Sequence, residues 1–455
     1  MPYHKDISSG MGRGIAVREA DEGHGYARTL WYAAHQAPAA APSLAMDVSC
    51  DVAIVGAGIV GLSTALHLAE RGIACAVVET GAVGSGASGR NTGFVVPALN
   101  ASLGPEEIAA RLGPERGARL VDLVAKAADT LFDIVRRHAI ACDADQRGFV
   151  QAAPWARQVP GIAARVASWR RAGAAVELLD GTAAASRMGT AFYRGAIDYT
   201  RGGTINPLAY ARGLAARFEA LGGKLFAHSP VVALTRMPDG WTLDAPSGSI
   251  SARRVLFATN ALAGTLSPEV ARSQIPVEVH QIATAPLPPA IRARILPHGG
   301  CVTDMRRDPV AFRLSADGRL LGGGMAAFAP CADTRLPPFF MRRFARLFPD
   351  LGSLPVDYVW RGTVAVTRGL MPKLFALGPG CHALIACNGR GNALGTALGA
   401  ALAHALAADD FAEFPLSPEP PAPMALHGFA TLSPRLWLPW ARLRDRIDNA
   451  INPHA

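Results

Sequence analysis

Residues 51–79 read as an apolar strand, a glycine-rich turn, an amphipathic helix and a second apolar strand that ends on an acid. The strand Val52–Val55 runs into Gly56-Ala57-Gly58-Ile59-Val60-Gly61. In a turn of this spacing the first glycine permits the tight bend. The second admits a pyrophosphate against the backbone, and the third lets the helix lie close to the strand. The helix N-terminus then offers free N–H groups and a partial positive charge to phosphates. Glu79 closes the second strand where an acidic side chain reaches ribose hydroxyls. A carboxylate at that point repels a 2′-phosphate, which disfavours NADP. The stretch predicts a complete βαβ unit that binds a dinucleotide.

The other bounds are broad. A chain of 455 residues has room for two or three domains, and with 50% hydrophobic and 18% charged residues it can bury sizeable cores. The net charge of +9 does not point to nucleic acid, because the arginines are scattered and no basic run carries interleaved aromatics. A mildly positive field suits an anionic substrate instead. The seven cysteines are dispersed without a Cys-x-x-Cys pair. That argues against a disulfide framework and against a zinc or other metal site, and fits a reducing cytoplasm. Met1-Pro-Tyr-His-Lys-Asp does not resemble a secretory signal. Gly391–Ala408 is nearly all Ala, Leu and Gly, but contains His404 and lacks basic flanks, so a tightly packed buried helix is expected rather than a membrane span.

Along the chain, residues 1–45 read as an arm whose Trp31 and Tyr32 dock on the body. Helical periodicity is expected from Glu106 to His138, from Val159 to Ala172, from Pro207 to Leu221 and, briefly, from Phe339 to Phe348. Strands are expected at Gly148–Ala152, Val176–Leu179, Val231–Leu234, Trp241–Leu243, Val255–Ala258 and Ile275–Thr284. A hairpin is expected at Ala311–Leu314 and Arg319–Gly322. Pro415–Pro423 reads as a linker, and Leu432–Ile451 as an amphipathic tail with Trp437, Trp440 and several arginines.

Further motifs follow. Gly84-Ser85-Gly86-Ala87-Ser88-Gly89-Arg90-Asn91-Thr92-Gly93 resembles the flavin-binding loop of the D-amino-acid oxidase/glycine oxidase superfamily of FAD-dependent oxidoreductases. Within it the chain looks most similar to the gamma-glutamylputrescine oxidoreductase branch. The resemblance continues through Gly203–Leu214, Leu256–Ala261, Ile282–Leu287, Trp360–Thr367 and Asn388–Thr396, and covers nearly everything from Trp31 onward. It implies an α/β fold with an α+β substrate part: a Rossmann-like FAD-binding domain interleaved with a mostly antiparallel-sheet substrate domain. The implied segments are the arm at 1–45, then FAD-binding pieces at 46–110, 196–265 and 356–412. Helical and substrate-domain pieces lie at 111–195 and 266–355, and the linker and tail at 413–455.

The resemblance also implies site residues. Non-covalent FAD would be held by Gly56, Ala57, Gly58, Ile59, Val60, Gly61 and Glu79, and by Gly86, Ala87, Ser88, Gly89, Arg90, Asn91 and Gly93 of the loop. Val232 would meet the adenine through its backbone. Asn260 either contacts the cofactor or satisfies local backbone. Gly389, Arg390, Gly391 and Asn392 open the helix that points at the flavin pyrimidine edge. Candidates for catalysis are Arg90, Arg390, His280 and Arg361, with Gln281 and Arg313 beside them: His280 and Gln281 facing the pocket, Arg313 and Arg361 as partners of a substrate carboxylate.

Three departures stand out. Arg390 replaces a histidine frequent in the superfamily, Arg368 stands where an acid is usual, and no cysteine occupies the position of covalent flavin attachment. The implied reaction is oxidation of a C–N bond in a small amine or amino-acid-like substrate. A hydride passes to flavin N5, the imine is hydrolysed by water, and oxygen reoxidises the cofactor. Two alternatives remain at this point. One is a dehydrogenase that passes electrons to a carrier or quinone, with the tail as a membrane or partner contact. The other is a flavin-containing binding protein without turnover.

Overall fold

A computed structural model describes residues 29–35, 41–100, 103–264, 266–327 and 330–451. The rest of the expected N-terminal arm lies outside them. The first strand, Val48–Val55, has its last four residues buried on both faces. Val52 and Ile54 point into one core and Ala53 and Val55 into another, which is why this stretch is apolar without alternation. It sits in the middle of a parallel sheet, pairing with Cys75–Val78 on one side and Gly248–Phe257 on the other. Lys224–Phe226 extends the sheet beyond Cys75–Val78, and Cys381–Ile385 beyond Gly248–Phe257. Three widely separated parts of the chain therefore build one sheet. An antiparallel hairpin, Ala233–Met237 and Gly240–Ala245, continues from Gly248–Phe257, and Lys373–Gly378 with Pro418–Glu419 closes the far edge.

Three helices cover one face of this sheet: Ile59–Ala69, Pro207–Ala220 and Gly391–Ala408. Gly391–Ala408 matches the expected buried helix, and its small residues have a reason. A Cβ on Gly395 would meet Val60 Cγ2 at 3.1 Å, and one on Gly399 would meet the Val60 carbonyl oxygen at 2.9 Å. Ser63 Oγ donates to the Thr396 carbonyl at 2.8 Å, while Arg71 reaches His404 further along. The two helices thus run parallel and begin at the same end.

The second sheet has eight strands in the order Val356–Thr367, Gln274–Pro286, Arg319–Met325, Ala311–Leu314, Cys301–Asp304, Phe149–Ala153, Gly195–Tyr199, Val176–Asp180. All neighbours are antiparallel except Cys301–Asp304 with Phe149–Ala153. The helix Ala332–Leu347 packs on one face through Leu336, Phe340 and Phe344. A two-stranded ribbon, Phe94–Val95 with Gly203–Thr204, lies between the sheets in sequence.

Several expectations change. The helix expected over Glu106–His138 is two helices, Pro105–Leu112 and Pro114–Arg137, broken at Gly113, whose φ of +80° leaves the helical region. The short helix expected at Phe339–Phe348 starts earlier, at Ala332, and runs through Pro337 and Pro338. The backbone bonds those prolines forgo fall on Asp333 and Thr334, both exposed to water. The strand expected at Val231–Leu234 begins at Ala233. Trp31 is buried as expected, whereas Tyr32 stays exposed beneath the Arg212 guanidinium.

Candidate functional site

The glycine turn is built as its spacing demands. Gly56 has φ of +110°, and a Cβ there would meet the Ala258 carbonyl oxygen at 2.9 Å. A Cβ on Gly61 would meet the Gly56 carbonyl oxygen at 2.1 Å, so the helix can lie this close only on glycine. Glu79 is half-buried. One carboxylate oxygen accepts the Ala57 N–H at 2.8 Å and the other the Gly81 N–H at 2.9 Å. An ionised carboxylate has about four lone-pair sites, so two stay open for ribose hydroxyls. Thr259 follows the strand that meets Gly56. Its hydroxyl is buried without a hydrogen-bond partner, and the sequence reading passed over it.

The loop Gly84–Gly93 bridges the two parallel helix N-termini. Ser88 Oγ accepts the Ile59 N–H at 3.0 Å, at the start of the first helix. Asn91 and Asn392 exchange side-chain hydrogen bonds at 3.0 and 2.9 Å, tying the loop to the first turn of the second. Four successive loop carbonyls are held from outside. The Arg90 carbonyl accepts from Trp360 Nε1 and the Asn91 carbonyl from Trp31 Nε1, both at 2.8 Å. Those of Thr92 and Gly93 accept from Arg313 Nη1 at 3.3 Å. Two indoles and a buried guanidinium thereby fix the loop's path, leaving its inner edge to the helix ends. A Cβ on Gly86 would meet nothing within 4 Å, so this part of the loop borders open space.

The structure places the expected residues unevenly. Gly56, Ala57, Gly58, Ile59, Val60, Gly61, Glu79 and the loop residues from Gly86 to Gly93 gather at the N-terminus of Ile59–Ala69, and Gly391 and Asn392 join them. Val232 is exposed; its N–H donates to the Asp244 carbonyl at 2.8 Å, so of its two backbone groups this one is engaged by the hairpin. Asn260, at φ +51°, accepts the Ala365 N–H at 3.2 Å, and its own carbonyl accepts from Gln274 Nε2 at 2.7 Å. Of the two roles considered for it, the structure shows the backbone one. Arg90 Nε donates to the Ser85 carbonyl at 2.7 Å, so its guanidinium braces the loop. Arg390 Nη1 donates to the Leu99 carbonyl at 2.7 Å and its guanidinium lies 5.7 Å from the Phe149 ring; burial lowers its pKa. Gly389 donates its N–H to Cys387 Sγ at 3.3 Å.

His280 and Gln281 were expected to share the pocket, but strand alternation separates them. Gln281 pairs with Trp360 and Gly323 and lies on the face turned to the Gly84–Gly93 loop, where its Oε1 is buried without a hydrogen-bond partner. His280 pairs with Arg361 and Gly324 on the opposite face, with Nε2 3.6 Å from both Glu278 and Asp333. Burial lowers its pKa, and the two carboxylates offset this only in part. Arg361 is exposed and pairs with Glu278 at 3.4 Å. Arg313 is fully enclosed and also donates to the Ile205 carbonyl at 2.7 Å, with burial pushing its pKa down to about 10. The sheet thus turns His280 and Arg361 away from the loop and gives Arg313 to backbone carbonyls. Among the described residues no group of three or more His, Cys, Asp or Glu side chains could hold a metal.

Comparison with known proteins settles the family. A family model described as FAD dependent oxidoreductase (DAO) matches residues 51–405, from the first strand to the far end of the second parallel helix. The chain belongs to this family. Gamma-glutamylputrescine oxidoreductase of Escherichia coli (strain K12) is 29% identical over 347 residues, covering 76% of this chain and 80% of that protein. Among solved structures, L-proline dehydrogenase from P. horikoshii superposes with a TM-score of 0.69 at 17% identity, covering 80% of this chain and 95% of that one. Glycine oxidase from Geobacillus kaustophilus does so with a TM-score of 0.66 at 21% identity, covering 81% and 99%. As a member of the FAD-dependent oxidoreductase family this chain is a flavoprotein enzyme with FAD as its cofactor. The cradle described above fits that cofactor: glycines where phosphates approach, a carboxylate with spare acceptors, a buried unpartnered Thr259 hydroxyl, and two helix N-termini facing one loop.

Proposed function

We propose that this enzyme oxidises the C–N bond of a small amine or amino-acid-like substrate to an imine that water hydrolyses. The observation that carries the reading is the loop Gly84–Gly93, held between two helix N-termini on one side and the Gln281–Trp360 sheet face on the other. Relatives named gamma-glutamylputrescine oxidoreductase and glycine oxidase support the substrate class. FAD, when bound, supplies the hydride acceptor, so the protein needs no strong base at the substrate carbon. The residues that would hold it are those of the glycine turn, Glu79, Thr259, the loop from Gly86 to Gly93, and Gly391 and Asn392.

The chain's own contribution is position and field. The parallel helices Ile59–Ala69 and Gly391–Ala408 each present a partial positive charge of about half a unit at the same end, which favours negative charge developing there. Gln281 offers an amide to an ammonium or amide of the substrate, and Trp360 beside it supplies an apolar wall that excludes water. The guanidinium of Arg390, carried on the residue before the second helix, keeps a fixed cation near the Phe149 end of the substrate sheet.

The experiment is an anaerobic screen of amines and amino acids against the purified yellow protein. Rapid loss of flavin absorbance with one substrate class, and peroxide release in air, is the expected result. Bleaching without peroxide would assign the electrons to a carrier instead of oxygen. Failure of every amine and amino acid to reduce the flavin would overturn the proposal.

A further inference from the structure

The helix Ser433–Ile451 is amphipathic in an inverted sense. Its inward side is acidic and small. Leu438, Ala441, Asp445 and Asp448 are buried. Asp445 accepts the Asp308 N–H at 2.9 Å, and Asp448 pairs with Arg307 at 2.6 Å and Arg157 at 2.8 Å. Asn449 Oδ1 accepts from Trp155 Nε1 at 3.0 Å. The outward side is apolar. Leu436, Trp440, Leu443, Ile447 and Ile451 recur at intervals of three or four residues along one stripe, with Trp437 beside it, and all are exposed. Leu436 and Ile451 are 74% and 70% exposed, more than a core-facing residue of such a helix tolerates. Upstream, Leu426, Phe429 and Leu432 extend the same apolar exposure.

Charge selects the occupant of this face. From Pro420 to Ile451 the only acids are Asp445 and Asp448, and both are buried against the body. Arg435, Arg444 and Arg446 of the same helix are exposed. The surface therefore combines two tryptophans, a leucine–isoleucine stripe and exposed cations, of which Arg444 lies within reach of the Asp448 carboxylate. A cleft of about 260 Å³ lies alongside it, lined by Arg335, Arg442 and Arg446 together with Leu336, Pro439 and Leu443; of these arginines Arg442 also pairs with Asp308. Guanidinium above aliphatic carbon is the pattern that receives a phosphate headgroup joined to an acyl chain. No helix among the described residues is long and apolar enough to cross a membrane, so the contact is with the surface of a bilayer.

We propose that the outward face of Ser433–Ile451 docks the enzyme on an anionic lipid surface, the helix lying in the interface with its apolar stripe among the acyl chains. The polar backbone is satisfied within the helix, the tryptophans sit at headgroup depth, and the arginines meet lipid phosphates. Because the helix is fixed to the body by Asp445 and Asp448, docking orients the whole molecule.

The test is co-sedimentation of the FAD-loaded full chain with phosphatidylcholine vesicles with and without about 30% phosphatidylglycerol, alongside sedimentation velocity without lipid. The expected result is binding to the anionic vesicles only, weakened as salt rises. About tenfold weaker binding is expected for both Leu436→Asp/Leu443→Asp and Arg444→Glu/Arg446→Glu, with flavin content and melting temperature unchanged. Absence of vesicle binding at low salt would overturn the proposal, as would binding that both double variants leave intact. A lipid-independent dimer that Leu436→Asp/Leu443→Asp splits would also overturn it, assigning the face to a second copy of the chain. None of these outcomes bears on amine oxidation, which the flavin screen reads separately.

Discussion

Asn91 and Asn392, 301 residues apart, each donate one side-chain hydrogen bond to the other and accept one in return. Their remaining groups are spoken for: Asn91 Nδ2 also donates to the Ala87 and Ser88 carbonyls, and Asn392 Nδ2 to the Phe94 carbonyl. This pair sets the distance between the Gly84–Gly93 loop and the first turn of Gly391–Ala408. Replacing either by alanine is expected to cost about 1–3 kcal/mol, since each truncation leaves buried donors and acceptors unmade. The two changes should be non-additive by about 1 kcal/mol or more in a double-mutant cycle read by thermal melting and FAD dissociation. Additive effects would separate the loop from the helix.

Glu79→Gln and Glu79→Arg distinguish two tasks of one carboxylate. Both oxygens accept backbone N–H groups, from Ala57 and Gly81. Glutamine keeps one acceptor oxygen and should retain the turn while weakening FAD binding about tenfold, roughly the worth of a charge-assisted hydrogen bond. Arginine removes every acceptor and should give a largely colourless protein. Flavin absorbance per mole of purified chain measures both; a fully yellow Glu79→Arg protein would release Glu79 from ribose binding.

Gly61→Ala and Gly86→Ala should part company. A Cβ at Gly61 would overlap the Gly56 carbonyl oxygen at 2.1 Å, so the strand–helix contact must open, and stability and FAD are expected to be lost together. A Cβ at Gly86 meets nothing, so the melting temperature of the apoprotein should stay put while FAD affinity falls where the loop borders the cofactor. Unchanged FAD affinity in Gly86→Ala would move that residue away from the cofactor.

Stability should decline on mild acidification. His67, His280 and His382 have pKa values lowered by burial from an ordinary 6.5. Each holds a proton less firmly in the folded chain than in the unfolded one, so unfolding takes up protons as the pH falls through about 6.5. The unfolded state then binds more protons, so stability present above that pH is lost as the pH falls toward the lowered values. Melting temperatures from pH 8 to pH 5 should fall, and His280→Gln should flatten part of the slope. A slope unaltered in that variant would mean that His280 titrates normally.

Arg313 is expected to be the costliest arginine to remove. Its Nη1 serves the Thr92, Gly93 and Ile205 carbonyls and its Nε the Leu314 carbonyl; truncation removes all of these bonds in a buried site, where the Gly93 carbonyl keeps only the Ile205 N–H. Arg313→Met should cost on the order of 3–5 kcal/mol, and Arg313→Lys should recover only part, because one ammonium cannot stand in for both Nη1 and Nε. Chemical unfolding of the apoprotein reads this without involving the cofactor.

Much of the cofactor cradle was legible because its constraints are local. Gly56, Gly58, Gly61 and Glu79 act within one βαβ unit, and Gly391–Ala408 announces itself by small residues packed on Val60 and Ser63. The break at Gly113-Pro114 was also written locally, but a continuous apolar stripe on either side concealed it. The substrate side was less legible. Whether His280 or Gln281 faces the loop depends on the register of Gln274–Pro286 against Val356–Thr367, which a period of two leaves open to either answer. Arg313, Trp31 and Trp360 converge on the loop from three distant segments, and no spacing in one chain reveals such a meeting. The direction of the tail helix was hidden for a similar reason: its amphipathy is plain, but which side meets the body is set by Arg157 and Arg307 far upstream.

The parallel pairing of Ile59–Ala69 with Gly391–Ala408 also sets how late in biosynthesis the two helix N-termini can be brought together. A ribosome that has released every residue up to Arg390 has still not delivered Asn392, so Asn91 hangs without its counterpart. The tie between the loop and the second helix therefore closes only after most of the polypeptide has emerged.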